Sequence, residues 1–294
     1  MIPERVGILG PGGIGGALAV HLSRAGCLVV VVTHRDASLY DRGVLTLDWQ
    51  GQTLTAEPYG TTLLDGAVDL LLVTVKAPAL DDALGRVEPQ AVEDAVILPL
   101  MNGLEHVATI RERLGPRVAA GSIGWIEAYK TDLTHIVQTT AQPTVVMASE
   151  DVARERLEQV AGMFDRAGIA TRIEESEEVV LWDKAARLAP LAVLTASTGR
   201  TVGEVREDLR PQLVAAIGEA CAVADADGAP TDAEEQLAIV DRVPPTVTTS
   251  TARDVAAGRP SELDAIVGGV IRAGRRLGVP TPTLDDLFDR CRAS

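Results

Sequence analysis

At roughly 100–200 residues per domain, the 294 residues of this chain predict about two domains, and the 46% hydrophobic composition gives each a core, which excludes disorder over most of the length. A formal net charge of −15 repels a phosphate backbone, so nucleic acid is excluded as a partner and any anionic ligand must be held by local cations. Cys27, Cys221 and Cys291 lie far apart and form no CxxC pair, which excludes a disulfide framework and a zinc knuckle and fits a reducing cytoplasm.

The opening residues carry a charge pair and then glycines, so no signal peptide is expected. Apolar stretches such as Leu70–Val75 fall far short of the roughly 20 residues that cross a bilayer, so no membrane is expected either. Along the first half, β-rich runs alternate with helical patterns: Val6–Leu9, Ile14–Ala25, Leu28–Val32, Leu70–Val75, Leu80–Val87 and Ala95–Leu100. This alternation predicts an α/β fold, a doubly wound, mainly parallel sheet of Rossmann type. Val44–Gln50 and Gln52–Glu57, alternating about Gly51, read as an inserted hairpin. Further strands are expected at Val118–Ser122, His135–Gln138, Thr144–Met147 and Ile169–Ile173, with a helix over Val152–Ala167.

The acidic run 174–178 marks the expected boundary, giving a dinucleotide-binding domain over 1–173 and an all-helical domain over 174–294. Helices are expected at Val179–Ala196, Leu209–Ala226, Asp232–Val240 and Ser261–Leu277. In the last, Leu263, Ile266, Val267, Val270, Ile271 and Leu277 form one stripe, with Ser261 as N-cap and Gly278 near the C-cap.

Gly10, Pro11, Gly12, Gly13, Ile14 and Gly15 form a GxGxxG that follows a strand and opens a helix. Gly10 permits the tight turn, Gly12 admits a pyrophosphate and Gly15 allows helix and sheet to pack closely. The helix N-terminus, from Gly13 and Ile14 onward, supplies free amides to the phosphates. No Gly-Lys-Ser/Thr follows, so a P-loop is excluded. At the end of the second strand, where NAD enzymes place a ribose-binding acid, the chain has Arg35, which can pair with a 2′-phosphate beside Thr33 or His34. NADPH is therefore the expected cofactor, although Asp36, one position later, can serve as the ribose acid.

Lys76 and Asn102-Gly103 follow successive strands, the ends at which doubly wound sheets bind ligands; taken singly, they equally suit a solvated lysine and a turn. Lys184 lies in an apolar helical stretch and is either a snorkelling surface lysine or a proton donor whose pKa is lowered by burial or a nearby cation. Glu262 suits a helix's first turn. His21, His34, His106 and His135 have no metal spacing, and no metal is expected.

Together, Gly10–Gly16, Val75-Lys76, Asn102-Gly103, Leu181–Lys184, Ser261–Gly269 and Gly278–Pro282 resemble the ketopantoate reductase (2-dehydropantoate 2-reductase) family, in order over nearly the whole chain. The resemblance implies NADPH-dependent reduction of a small 2-keto acid in an interdomain cleft that closes on binding, a step of pantothenate biosynthesis. It makes Lys184 the general acid and Glu262 the carboxylate that orients substrate and lysine. Asn102 would touch cofactor and substrate, and Ser250 would bond the substrate carboxylate. The oligomeric state stays open, a homodimer included.

The chain departs from the family pattern at Leu188 and Ala192, where substrate-binding asparagines are usual, and at Ala79, where a glutamine is common. Pro190 should disturb the same helix. Two rivals follow: a related reductase with a more apolar pocket for another keto acid or an imine, and a catalytically silent NADP-binding regulator, which would need neither Lys184 nor Glu262.

Overall fold

The computed structural model describes residues 4–34, 37, 43–124 and 126–293. Contacts divide the chain into two compact units: residues up to Met101 with His106–Glu177, and Asn102–Glu105 with Glu178 onward.

The first unit opens with β1 (Arg5–Leu9), α1 (Gly13–Arg24) and β2 (Leu28–Val32), then β3 (Leu45–Trp49), β4 (Gln52–Ala56), β5 (Tyr59–Thr61) and β6 (Leu70–Val73). It continues through α2 (Leu80–Leu84), β7 (Val96–Pro99), α3 (His106–Leu114), β8 (Ala120–Gly124), β9 (Ala128–Lys130) and β10 (His135–Gln138), and ends with β11 (Thr144–Ala148), α4 (Arg154–Arg166) and β12 (Ala170–Ile173). The main sheet has the order β5-β2-β1-β6-β7, and every pairing in it is parallel. Strands β6 and β7 are apolar and buried along their whole length, as a sheet covered on both sides requires.

The hairpin β3-β4 does not join that sheet. It forms a second one, β4-β3-β10-β9, in which β3 and β10 run parallel, and β11 forms a third with β12 and β8. Helix α1 explains the second sheet: Ala17, Leu18, Ala19, Val20 and Leu22 are all fully buried, so the helix hides every face and needs cover opposite the main sheet. The three-residue strands β5 and β9 carry too few residues for an alternation to be read, and the sequence does not announce them.

The second unit is helical: α5 (Glu177–Thr198), α6 (Val202–Asp208), α7 (Arg210–Ala226), α8 (Ala233–Asp241), α9 (Ser250–Ala256), a π-turn over Asp264–Gly268, α10 (Gly269–Leu277) and α11 (Pro282–Ala293). Trp182, Leu194, Leu213, Ile217, Val267, Val270 and Leu284 lie in its core. Pro190 does not break α5, which runs on to Thr198 and loses one backbone donor there.

The units part between Glu177 and Glu178, a few residues beyond the boundary expected from composition. Glu177 belongs to the first unit because its carboxylate accepts two bonds from Arg111, at 2.7 and 3.0 Å. A run of acids cannot reveal that one member has a partner 66 residues away.

Candidate active site

In the first unit, the glycine turn between β1 and α1 shows what each glycine is for. Gly10 has φ of +92°, and a Cβ there would lie 2.4 Å from Val75 Cγ1. Cβ atoms would fall 2.0 Å from the Ala128 carbonyl oxygen at Gly13, 2.3 Å from Thr74 Oγ1 at Gly15 and 2.9 Å from Ile136 at Gly16. These four glycines are fixed by the protein's own packing. Gly12 differs: a Cβ there meets no atom closer than 4.0 Å. Its missing side chain leaves open space at the N-cap of α1, where no side chain caps the helix and its first turn holds no acid. An uncapped helix start with free amides fits a dinucleotide's pyrophosphate.

The turn is held by Thr74, just past β6, whose hydroxyl donates to Gly10 O at 2.8 Å. Sequence reasoning passed over this residue, although a hydroxyl at a strand end next to Val75-Lys76 is the available signal. The turn borders a cleft of ≈ 760 Å³, whose walls include Gly10, Gly12, Lys76, Ala79, Arg86 and Lys130. Thr33 and His34, at the end of β2, line the same cleft, while Arg35 and Asp36 lie outside the described residues.

In the second unit, α5 carries Lys184. The buried Trp182 indole donates to Asp227 Oδ2 at 2.9 Å and fixes the helix's rotation. Lys184 is half-buried. Burial first, and then the Arg187 guanidinium, push its ammonium down to about 8 against the opposing pull of the Glu262 carboxylate. Arg187, one turn on from Lys184, is held by Gln236 Oε1 at 3.0 Å and by Asp183. Its spacing of three from the lysine is a signal the sequence reading did not use.

Glu262 stands just ahead of the π-turn that leads into α10. The helix starts one residue later than the sequence suggested: Ile266 N donates to Glu262 O at 2.9 Å, so Glu262 takes the N-cap place expected for Ser261. The following π-turn was also not legible. Asn102, just past β7 and expected to face the crevice, belongs to the second unit, where its amide donates to Glu262 Oε2 at 3.1 Å. Gly103 beside it has φ of +102°, and a Cβ would lie 2.7 Å from Ala265 O, so only glycine permits this approach.

Lys184, Glu262 and Asn102 are thus linked within one unit. Ser250 is not brought into that group: it is the exposed first residue of α9, one after Thr249, which caps the helix and bonds Thr195 at 2.8 Å. Ala192 is fully buried in the core and Leu188 half-buried against it. Chemically, the group offers an ammonium poised to release a proton near neutral pH, a carboxylate and an amide.

Fold and glycine cradle are those of an NAD(P)H-dependent oxidoreductase. Residues 6–151 match the family model for ketopantoate reductase PanE/ApbA, and residues 178–293 match its C-terminal counterpart, so the chain belongs to the ketopantoate reductase family. A 2-dehydropantoate 2-reductase of Mycobacterium tuberculosis is 27% identical over 287 residues, covering 96% of this chain and 95% of that protein. The PanE/ApbA family ketopantoate reductase of Ralstonia eutropha JMP134 has a TM-score of 0.87 at 25% identity, covering 98% of this chain and 97% of that one. A D-mandelate dehydrogenase solved with NADH and anilino(oxo)acetate has a TM-score of 0.85 at 19% identity, covering 98% of this chain and 97% of that one, a likeness of fold alone. Among the described residues, no helix is long and apolar enough to cross a membrane.

Proposed function

We propose that the protein reduces a 2-keto acid with NADPH, that ketopantoate is the substrate to test first, and that pantoate is the product. A nicotinamide held at the glycine turn would supply the hydride that the C2 carbonyl carbon accepts. Lys184 donates the proton that turns the developing alkoxide into a hydroxyl, and its positive charge stabilises that alkoxide as it forms. Glu262 holds the lysine and the new hydroxyl in place, and Asn102 fixes the Glu262 carboxylate. The observation that carries this reading is the joint placement of Lys184, Glu262 and Asn102, with the lysine's pKa lowered to about 8.

Gly12 and the amides of Gly13, Ile14 and Gly15 receive the pyrophosphate in this reading. Lys76, with Arg35, three residues after β2 in the sequence, favours the 2′-phosphate of NADPH. Ser250 remains the candidate for the substrate carboxylate, reached from the exposed start of α9.

A second reading, a reductase of a different 2-keto acid, is favoured by Leu188, which offers no hydrogen bond where an amide is usual. The test is an NADPH-oxidation assay over a panel of 2-keto acids that includes ketopantoate, 2-ketoisovalerate and phenylglyoxylate. Turnover of ketopantoate supports the first reading, and turnover of another acid without ketopantoate supports the second. No oxidation with any of them overturns both.

A further inference from the structure

The segment Asn102–Glu105 is four residues long, yet it packs with the helical unit while both its ends run into the other. What holds it is Arg272 on α10. The guanidinium grips Glu105 with two bonds, Nε to Oε1 at 2.8 Å and Nη2 to Oε2 at 2.7 Å. The same guanidinium reaches Asp264, the first residue of the π-turn, at both its side chain (3.2 Å) and its carbonyl oxygen (3.3 Å).

Two glycines make room for this. A Cβ on Gly268 would lie 2.8 Å from Asp264 Oδ1 and 2.9 Å from Arg272 Nη1, so glycine here leaves the guanidinium room to cross the turn. Gly103 gives the segment its close approach to Ala265 O on the same π-turn. Leu104 adds an apolar contact with the core. Arg272 therefore ties together the two pieces of chain that carry Asn102 and Glu262.

Resting on the reductase reading above, we propose that Arg272 is a positioning residue: through Glu105 and Asp264 it sets the Asn102 amide on the Glu262 carboxylate. Its ion pairs are half-exposed, with side chains 41% and 54% accessible in the Arg272–Glu105 pair. Pairs so exposed add little to global stability, so their effect falls on the local geometry.

The test compares Arg272→Ala, Arg272→Lys and Glu105→Gln with Arg275→Ala, which removes a neighbouring ion pair to Asp285 on the same helix. One readout needs no activity: the side-chain amide resonance of Asn102 in 15N-labelled protein, assigned by its loss in Asn102→Asp. Arg272→Ala and Glu105→Gln are expected to move that resonance and to lower kcat on the preferred keto acid tenfold or more. NADPH affinity should stay within about twofold, Arg272→Lys should recover part of kcat, and Arg275→Ala should change neither quantity. An unmoved Asn102 resonance in both Arg272→Ala and Glu105→Gln, or an equal effect of Arg275→Ala, overturns the proposal. Failure of the wild type to reduce any keto acid would count against the reductase reading alone, because the resonance still decides the positioning claim. If Arg272→Ala does not fold, Glu105→Gln carries the same decision.

Discussion

The amide of Asn102 donates to Glu262 Oε2 at 3.1 Å, across 160 residues of chain. It joins a turn after the last strand of the main sheet to the start of a helix near the C-terminus. The Glu262 carboxylate also acts on Lys184, so this hydrogen bond helps to set where the pair's negative partner stands.

Removing the ammonium should therefore slow the chemical step and leave nucleotide binding intact. Lys184→Ala is expected to lower kcat by roughly 10²–10⁴, the scale of a lost general acid, with NADPH affinity little changed. Steady-state kinetics together with a fluorescence titration of NADPH check this. Turnover near that of the wild type would return Lys184 to a surface role.

As the proposed proton donor, the same lysine should set the pH dependence. Only its charged form carries the proton, and burial beside Arg187 lowers its pKa to about 8, so the donor is present below that pH and lost above it. The rate of reduction, as kcat/KM, should be level on the acid side and fall about tenfold per pH unit above about 8. A pH–rate profile up to pH 10 measures it, and a flat alkaline limb would remove Lys184 from the proton path.

The glycines of the turn should separate into two kinds. A Cβ at Gly12 meets open space in the free protein, so Gly12→Ala should leave the melting temperature unchanged and weaken NADPH by about 1–3 kcal/mol, the usual cost of overpacking. Gly15→Ala drives a methyl to within 2.3 Å of Thr74 Oγ1 and 2.5 Å of Gly10 O. It should therefore cost about 1–3 kcal/mol of stability, at about 2–4 °C of melting temperature per kcal/mol. Thermal melts and NADPH titrations of both variants decide it; a Gly12→Ala protein that binds NADPH normally would show that no phosphate approaches there.

The proposed preference for NADPH assigns the 2′-phosphate to Arg35. Arg35→Ala should weaken NADPH by about 1.5–3 kcal/mol, a charge-assisted contact, and leave NADH unaffected. Equal weakening of both would assign the preference elsewhere.

Substrate discrimination should be shallow. Leu188 offers no donor, and Ala192 is closed off in the core, so neither can pair the terminal hydroxyl of ketopantoate. A site that does not pair a hydroxyl cannot strongly reject its absence, and kcat/KM for ketopantoate over 2-ketoisovalerate should stay below about tenfold. A ratio of a thousandfold would mean that other side chains have replaced the amides.

The N-terminal half was readable in the sequence because its signals are local. Alternating β runs and helices, and a GxGxxG between a strand and a helix, follow from residues that touch their near neighbours, and the observed strands β1, β2, β6 and β7 fall within a residue or two of the expected ones. The long helices of the second unit were legible for the same reason, since apolar periodicity is a property of one segment. Helix α1 was legible as a helix, whereas its cover by a second sheet was not: that depends on β3 meeting β10, about 90 residues on, in a parallel pairing that no local pattern encodes.

Sequence alone determined the family, through motifs in order, and nominated Lys184, Glu262 and Asn102 one at a time. Tertiary structure decided what they are to one another. It set the Asn102 amide on Glu262, put Arg187 beside Lys184, and left Gly12, alone among the glycines Gly10, Gly12, Gly13, Gly15 and Gly16, with open space where a side chain would stand. The reason is physical: propensity and periodicity act over a few residues, while a hydrogen bond or a lowered pKa depends on atoms within a few ångströms, whichever part of the chain supplies them.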